Sequence, residues 1–138
     1  MNKLLLDTNI LLDFMVSERP DSDAAVELFR RCTTGRDTGY VCAGSLKDVY
    51  YVASRYLGEQ AARDFTYAFL DAFEVIALDK TLCSIAVRSN EPDFEDGLVR
   101  AAAEDKRVDL IITRGTDAFG ASTIKAVTAK AYIENFCA

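Results

Sequence analysis

With 138 residues, half of them hydrophobic, the chain is long enough to bury a core as one domain over 1–138, and it contains no repeat or low-complexity tract. The net charge of −6 argues against a general nucleic-acid binder, although acids gathered at one site contribute to that count. The absence of histidine is the strictest limit: it excludes Ser-His-Asp and Cys-His catalysis and any imidazole ligand, so an enzyme here must work through Asp, Glu, Lys, Tyr or a metal ion.

The chain opens with an apolar strand, Lys3–Leu6, that runs into Asp7-Thr8-Asn9 and then into the helical pattern Ile10-Leu11-Leu12. A carboxylate is thereby set at the C-terminal end of a buried strand, where open α/β sheets carry their sites. An N-cap is the competing duty for Asp7, and the two are compatible because one carboxylate oxygen stays free. Arg19-Pro20 separates the first two helices. After Asp23, the positions Ala25, Phe29 and Cys32 share a helical face. A strand at Thr38–Cys42 precedes a helix after Ser45, whose apolar face is Leu46, Val49, Tyr50, Ala53 and Leu57. Ser45 and Asp48 have the spacing of a capping box, so Asp48 reads equally as a cap or a ligand.

Further on, Ala61, Phe65, Ala68, Phe69 and Ala72 predict another helix, followed by a strand at Phe73–Leu78. Asp79 reads as the cap of a helix bearing Leu82, Ile85 and Ala86. In Pro92-Asp93-Phe94-Glu95-Asp96-Gly97, Asp93 is the expected N-cap and Asp96 shares its face, with Arg100 one turn beyond; Phe94 and Leu98 are expected to face the core. A strand at Val108–Thr113 leads to Asp117, and the Thr113 hydroxyl at the strand end is placed to bond a ligand or a carboxylate. Thr123–Val127 is the last strand, and Thr128 caps a helix from Ala129 to Phe136. Strands alternating with helices predict a mostly parallel sheet of four to five strands, covered on both faces.

Right-handed crossovers bring the strand C-termini to one edge. Asp7, Asp48, Asp93, Asp96 and Asp117 then fall at strand ends or helix starts on that edge. Carboxylates that converge repel one another and are held together by divalent cations, which points to metal-dependent phosphodiester chemistry. Cys32, Cys42, Cys83 and Cys137 lack zinc-knuckle spacing and read as reduced thiols. The first residues do not read as a signal peptide, and no apolar run approaches the roughly 20 residues of a membrane span. A cytoplasmic protein with no membrane contact is expected.

The chain resembles the PIN-domain family of metal-dependent ribonucleases, whose small single-domain members include the VapC-like toxins of toxin–antitoxin pairs. The resemblance rests on Leu6-Asp7-Thr8-Asn9-Ile10-Leu11-Leu12-Asp13, Ser45-Leu46-Lys47-Asp48, Asp93-Phe94-Glu95-Asp96, Ile111-Ile112-Thr113-Arg114 and Asp117-Ala118-Phe119. It implies a PIN-like three-layer α/β/α sandwich and an endoribonuclease. The family's four acids map to Asp7, Asp48, Asp96 and Asp117, with Asn9, Asp93 and Thr113 in support. It further implies one or two Mg²⁺ or Mn²⁺ ions on Asp7, Asp96 and Asp117, an RNA substrate, a cognate antitoxin and a homodimer. Arg114, Lys47, Arg55 and Arg100 are the candidate phosphate contacts, each with a solvated helix charge as the plainer alternative. Three departures from the family pattern stand out: Asp48 occupies a position often held by Glu, Gly97 interrupts a helix, and Gly115-Thr116 replaces the usual Asn-containing approach to the last acid.

Three rivals remain at this point. A catalytically silent PIN-fold partner-binding module would keep the fold without the chemistry. A receiver-type phospho-signalling domain needs paired acids at the first strand, and Leu4-Leu5-Leu6 offers none before Asp7. A haloacid-dehalogenase-like phosphatase needs Asp where Asn9 stands.

Overall fold

The computed structural model describes residues 1–91 and 93–137. In chain order, β1 (Lys3–Leu6) passes through Asp7 into α1 (Thr8–Met15), and α2 (Ser22–Thr33) follows the Arg19-Pro20 break. Next come β2 (Thr38–Cys42), α3 (Ala43–Tyr56), α4 (Glu59–Ala72), β3 (Phe73–Ile76), α5 (Lys80–Arg88) and α6 (Phe94–Lys106). β4 (Leu110–Ile112), a 3-10 turn at Thr116–Phe119, β5 (Lys125–Val127) and α7 (Ala129–Phe136) complete the order.

The strands form one five-stranded sheet in the order β3-β2-β1-β4-β5, with every pairing parallel. Side chains of successive strand residues point to opposite faces. Leu4 and Leu6 therefore pack on one side with Ile10, Leu28, Val49, Phe69 and Tyr132, under α1, α2, α3, α4 and α7. Leu5 packs on the other with Ile76, Leu82, Val99 and Ala102, under α5 and α6. The result is the three-layer α/β/α sandwich. This order also removes the receiver alternative, because in that fold the first strand lies between the second and third.

Three strands are shorter than predicted. β3 ends at Ile76 instead of Leu78, β4 spans Leu110–Ile112 instead of Val108–Thr113, and β5 begins at Lys125 instead of Thr123. Apolar character overstates a strand where ladder partners stop. The registered pairs of β4 with β1 end at Leu6–Ile112, and Arg107 turns the chain in the left-handed conformation (φ 52°) just before β4.

The capping expectations divide. Asp79, Asp93 and Thr128 each accept from a backbone N–H of their helix, as predicted. The Ser45–Asp48 capping box does not exist, because β2 runs directly into α3 at Ala43 and both residues lie inside the helix. The Gly97 departure has a packing reason. A Cβ there would stand 3.0 Å from the Ala86 carbonyl oxygen, so glycine lets α6 approach α5.

At the N-terminal edge of the sheet, buried Asp37 accepts from Arg31 Nε (2.8 Å), the Tyr132 hydroxyl (2.8 Å) and the Asn2 amide (3.2 Å). Burial alone would raise this carboxyl, but these three donors outweigh it and hold it below the usual range. The cluster joins α2, α7 and the start of the chain at the end opposite the acids.

Candidate active site

From β1 the chain goes to β2 on one side and returns to β4 on the other. This reversal opens a crevice at the C-terminal ends of β1 and β4, the position where open α/β sheets take ligands. The Asp7 amide extends the ladder by donating to the Ile112 carbonyl (2.9 Å). Its side chain is then fixed from two directions: Oδ1 accepts from the Thr8 amide (2.8 Å) and Oδ2 from the Thr113 hydroxyl (2.9 Å). Asp7 is thus both the cap of α1 and an anchored carboxylate, and Thr113 plays the part its strand-end position predicted. Asn9, in the first turn of α1, is exposed and makes no side-chain hydrogen bond among the described residues.

The first turn of α6 faces Asp7. Asp93 caps this turn through its Oδ1, which accepts from Glu95 N (2.7 Å) and Asp96 N (3.4 Å). Asp96 is pushed up to about 6, first by burial and then by Asp93, Asp7, Glu95 and Glu91. Glu95, which the sequence reading did not select, is also raised, by burial first and then by Asp48 and Asp7. The Thr8 Oγ1–H reaches Ser45 Oγ at 2.8 Å and Glu95 Oε1 at 3.4 Å, which links α1, α3 and α6 across the crevice. The spacing of Glu95 beside Asp96 in a capped first turn was its only sequence signal. Buried Cys42 borders the same acids, and its thiol is pushed up to about 12, by burial first and then by Asp7 and Glu95, so it stays protonated.

Asp48 lies on the α3 side, half exposed, with Lys47 Nζ at 3.8 Å. Asp117 sits on the exposed 3-10 turn, outside the hydrogen-bonded set. Among the described residues, no three His, Cys, Asp or Glu side chains already form a ready-made ion cage. The donors at this edge are nonetheless all hard oxygens, and their mutual repulsion is the electrostatic condition that a divalent cation relieves.

The Asp96 shift has a measurable consequence. Without metal, folded Asp96 holds its proton up to about pH 6, whereas an unfolded aspartate releases it near about 3.9. Folding therefore takes up a proton between these values, and stability falls as pH rises through that window. In EDTA, Asp96→Asn is expected to melt above the wild type at pH 7–8 and to match it near pH 4, as read by thermal melts across pH.

The basic candidates separate clearly. Arg100 is not available for phosphate: its guanidinium donates to Glu104 (3.2 Å), Glu91 (3.1 Å), Asn90 (3.0 Å) and the Ala121 carbonyl (2.9 Å), and it does not pair with Asp96. Arg55 is exposed on the outer face of α3, with its guanidinium 5.5 Å from the Tyr51 ring. Lys47 stands at the rim of the acids, 83% exposed. Arg114 is half exposed and lies 3.8 Å from Asp13 Oδ1 and 3.6 Å from Asp21 Oδ2. Phe94 corrects the expectation that it faces the core: it is 50% exposed. A larger groove of about 520 Å³ between α5 and α6, lined by Arg88, Arg100 and Glu104, contains none of the predicted acids.

A parallel α/β sandwich with acids gathered at its switch point, and no histidine, defines a domain of the PIN-like class. The PIN domain family model matches residues 3–117, and the chain belongs to that family. Solved structures share the fold. VapC20 of Mycobacterium tuberculosis, a sarcin-ricin loop cleaving toxin, superposes with a TM-score of 0.68 at 17% identity, over 86% of this chain and 94% of its own. A toxin–antitoxin complex from Klebsiella pneumoniae gives 0.68 at 24% identity, over 91% of this chain and 97% of that one. DNA-bound VapBC from Salmonella typhimurium gives 0.69 at 17% identity, over 94% and 99% respectively. No curated protein sequence matches the chain. No helix among the described residues is long and apolar enough to cross a membrane.

Proposed function

We propose that this protein is a metal-dependent endoribonuclease and the toxin of a toxin–antitoxin pair. The observation that carries the reading is the crevice at the switch point, where Thr8 and Thr113 hold the Asp7 carboxylate and the Asp93-capped turn of α6 brings Glu95, beside Asp96, within 3.4 Å of the Thr8 hydroxyl. PIN-family membership and the fold shared with VapC proteins, one of them an RNA-loop-cleaving toxin, support it. The toxin–antitoxin complexes among these neighbours support an antitoxin partner; in this reading it would cover the acidic edge. Homodimerisation and a cytoplasmic location belong to the same reading.

Asp7, Asp96 and Asp117 would hold one or two Mg²⁺ or Mn²⁺ ions, with Asp48 and Glu95 flanking them. When bound, such an ion supplies an activated water and charge stabilisation at the phosphate. Thr113 and the Thr8 amide keep Asp7 from turning away, and Asp93 fixes the turn that presents Asp96. Asp96 must be ionised to act as a ligand, so metal affinity is expected to rise as pH passes through about 6, the value Asp96 has in the metal-free protein. Attack of water on phosphorus breaks the P–O3′ bond and leaves 5′-phosphate and 3′-hydroxyl ends. In this reading exposed Lys47, and Arg114 on release from Asp21, meet the RNA backbone beside the acids.

The test is incubation with structured and single-stranded RNAs plus Mn²⁺, with EDTA and Asp96→Asn as controls. Cleavage that disappears in both controls is the expected result. An intact RNA panel would favour the silent partner-binding module.

A further inference from the structure

We infer that the cleft between the start of α3 and the start of α6 is a nucleobase pocket that selects an unpaired guanine beside the scissile phosphate. This inference rests on the ribonuclease reading. The cleft has a volume of about 250 Å³ and is bounded by Leu78, Phe94 and Leu98 on its apolar side and by Lys47, Asp48 and Glu95 on its polar side. Three observations set its occupant.

The first is continuity with the acidic edge. Asp48 and Glu95 line the cleft, and Glu95 Oε1 lies 3.4 Å from the hydroxyl of Thr8, whose amide donates to Asp7 Oδ1 in the crevice. A strand whose phosphate lies at Asp7 and Asp96 therefore has its neighbouring nucleotide over the cleft.

The second is Phe94. It is 50% exposed at the mouth of the cleft, although its place in the helical pattern predicts burial. A large aromatic ring left in water beside a polar rim is the usual platform for an unstacked base, and stacking on such rings is how single-stranded RNA is gripped.

The third is the rim chemistry. Ionised carboxylates only accept hydrogen bonds. Guanine offers a ring N–H next to an exocyclic amino group, two adjacent donors that match one carboxylate. Uracil flanks its single N–H with carbonyl oxygens, which a carboxylate repels. Lys47 Nζ, 83% exposed at the rim and 3.8 Å from Asp48 Oδ1, stands where it can also face the adjoining phosphate.

The experiment titrates Ca²⁺-loaded protein with short oligouridines that carry one central guanine, one central thienoguanine (a fluorescent analogue that keeps guanine's ring N–H and amino group), or neither, with their integrity checked on a gel. The chain has no tryptophan, so thienoguanine fluorescence reports on the probe alone. Wild type is expected to bind the guanine oligomer about tenfold more tightly than oligouridine and to change the thienoguanine emission on binding. Phe94→Ala should lose both effects and Phe94→Tyr should keep them, with thermal melts confirming that each variant is folded. Equal affinity of wild type for all oligomers, a preference that survives in Phe94→Ala, or no binding of any oligomer overturns the pocket. Failure of the ribonuclease reading is separate: it shows as no Mn²⁺-dependent cleavage of any RNA, whatever the oligomers do.

Discussion

Asp7→Asn is expected to abolish metal-dependent RNA cleavage, by at least about a hundredfold, while the domain stays folded. The substitution is chosen because every structural duty of Asp7 survives it. Asn is as good an N-cap as Asp, so its side-chain oxygen still accepts from the Thr8 amide. The Thr113 hydroxyl now donates to Asp7 Oδ2 and can rotate to accept from the new amide group. What disappears is a negative charge at the switch point. Gel analysis of RNA treated with Mn²⁺, set beside a thermal melt, separates the two effects. Cleavage at the wild-type rate by the folded variant would sink the nuclease assignment, and a variant that fails to fold would contradict the account of the cap.

Arg19→Ala carries the largest expected loss of stability, about 3–5 kcal/mol. Asp13 on α1 is fully buried, and its Oδ1 accepts from Arg19 Nε at 2.5 Å. Its other oxygen, Oδ2, has no hydrogen-bond partner among the described residues. Arg114 Nη1, at 3.8 Å, is within electrostatic reach but too far for a hydrogen bond. Removing Arg19 therefore leaves a carboxylate in the interior with little to compensate its lost hydration. Urea denaturation should show a lower midpoint with an unchanged slope. The double variant Asp13→Leu/Arg19→Met removes both charges and should recover most of the loss, because a buried pair can be replaced by apolar groups at small net cost. If Arg19→Ala matched wild type in urea, the pair would have no role in holding α1 against the turn into α2.

Part of the site was legible because it depends on local patterns. The short apolar run Leu4-Leu5-Leu6, closed by Asp7-Thr8-Asn9, reads as a buried strand, and it carries Asp7 to the sheet edge. Asp93 caps its helix because its spacing from Glu95 and Asp96 is a local matter of backbone N–H groups. Thr113 was recognisable from its place at a strand end, and its bond to Asp7 joins the two strands that flank the switch point. Local pattern failed at Ser45 and Asp48 for an equally physical reason. Their spacing fits a capping box, but β2 delivers the chain into a helix already under way at Ala43, so Ser45 turns inward to Thr8.

The sequence by itself determined the alternation of strands and helices, the parallel sheet, and the presence of carboxylates along one edge. These follow from side-chain period and from the handedness of crossovers, which operate over a few residues or one connection. Only the tertiary structure decided that Glu95 points to Asp7 and Asp48, that Phe94 stands half in water, that Arg100 is consumed by Glu91 and Glu104, and that Asp13 is a buried charge. A helical period assigns residues to faces of one helix, but the neighbour each face meets is set where α1, α3 and α6 converge around β1 and β4. That convergence brings together residues as distant in sequence as Asp7 and Thr113.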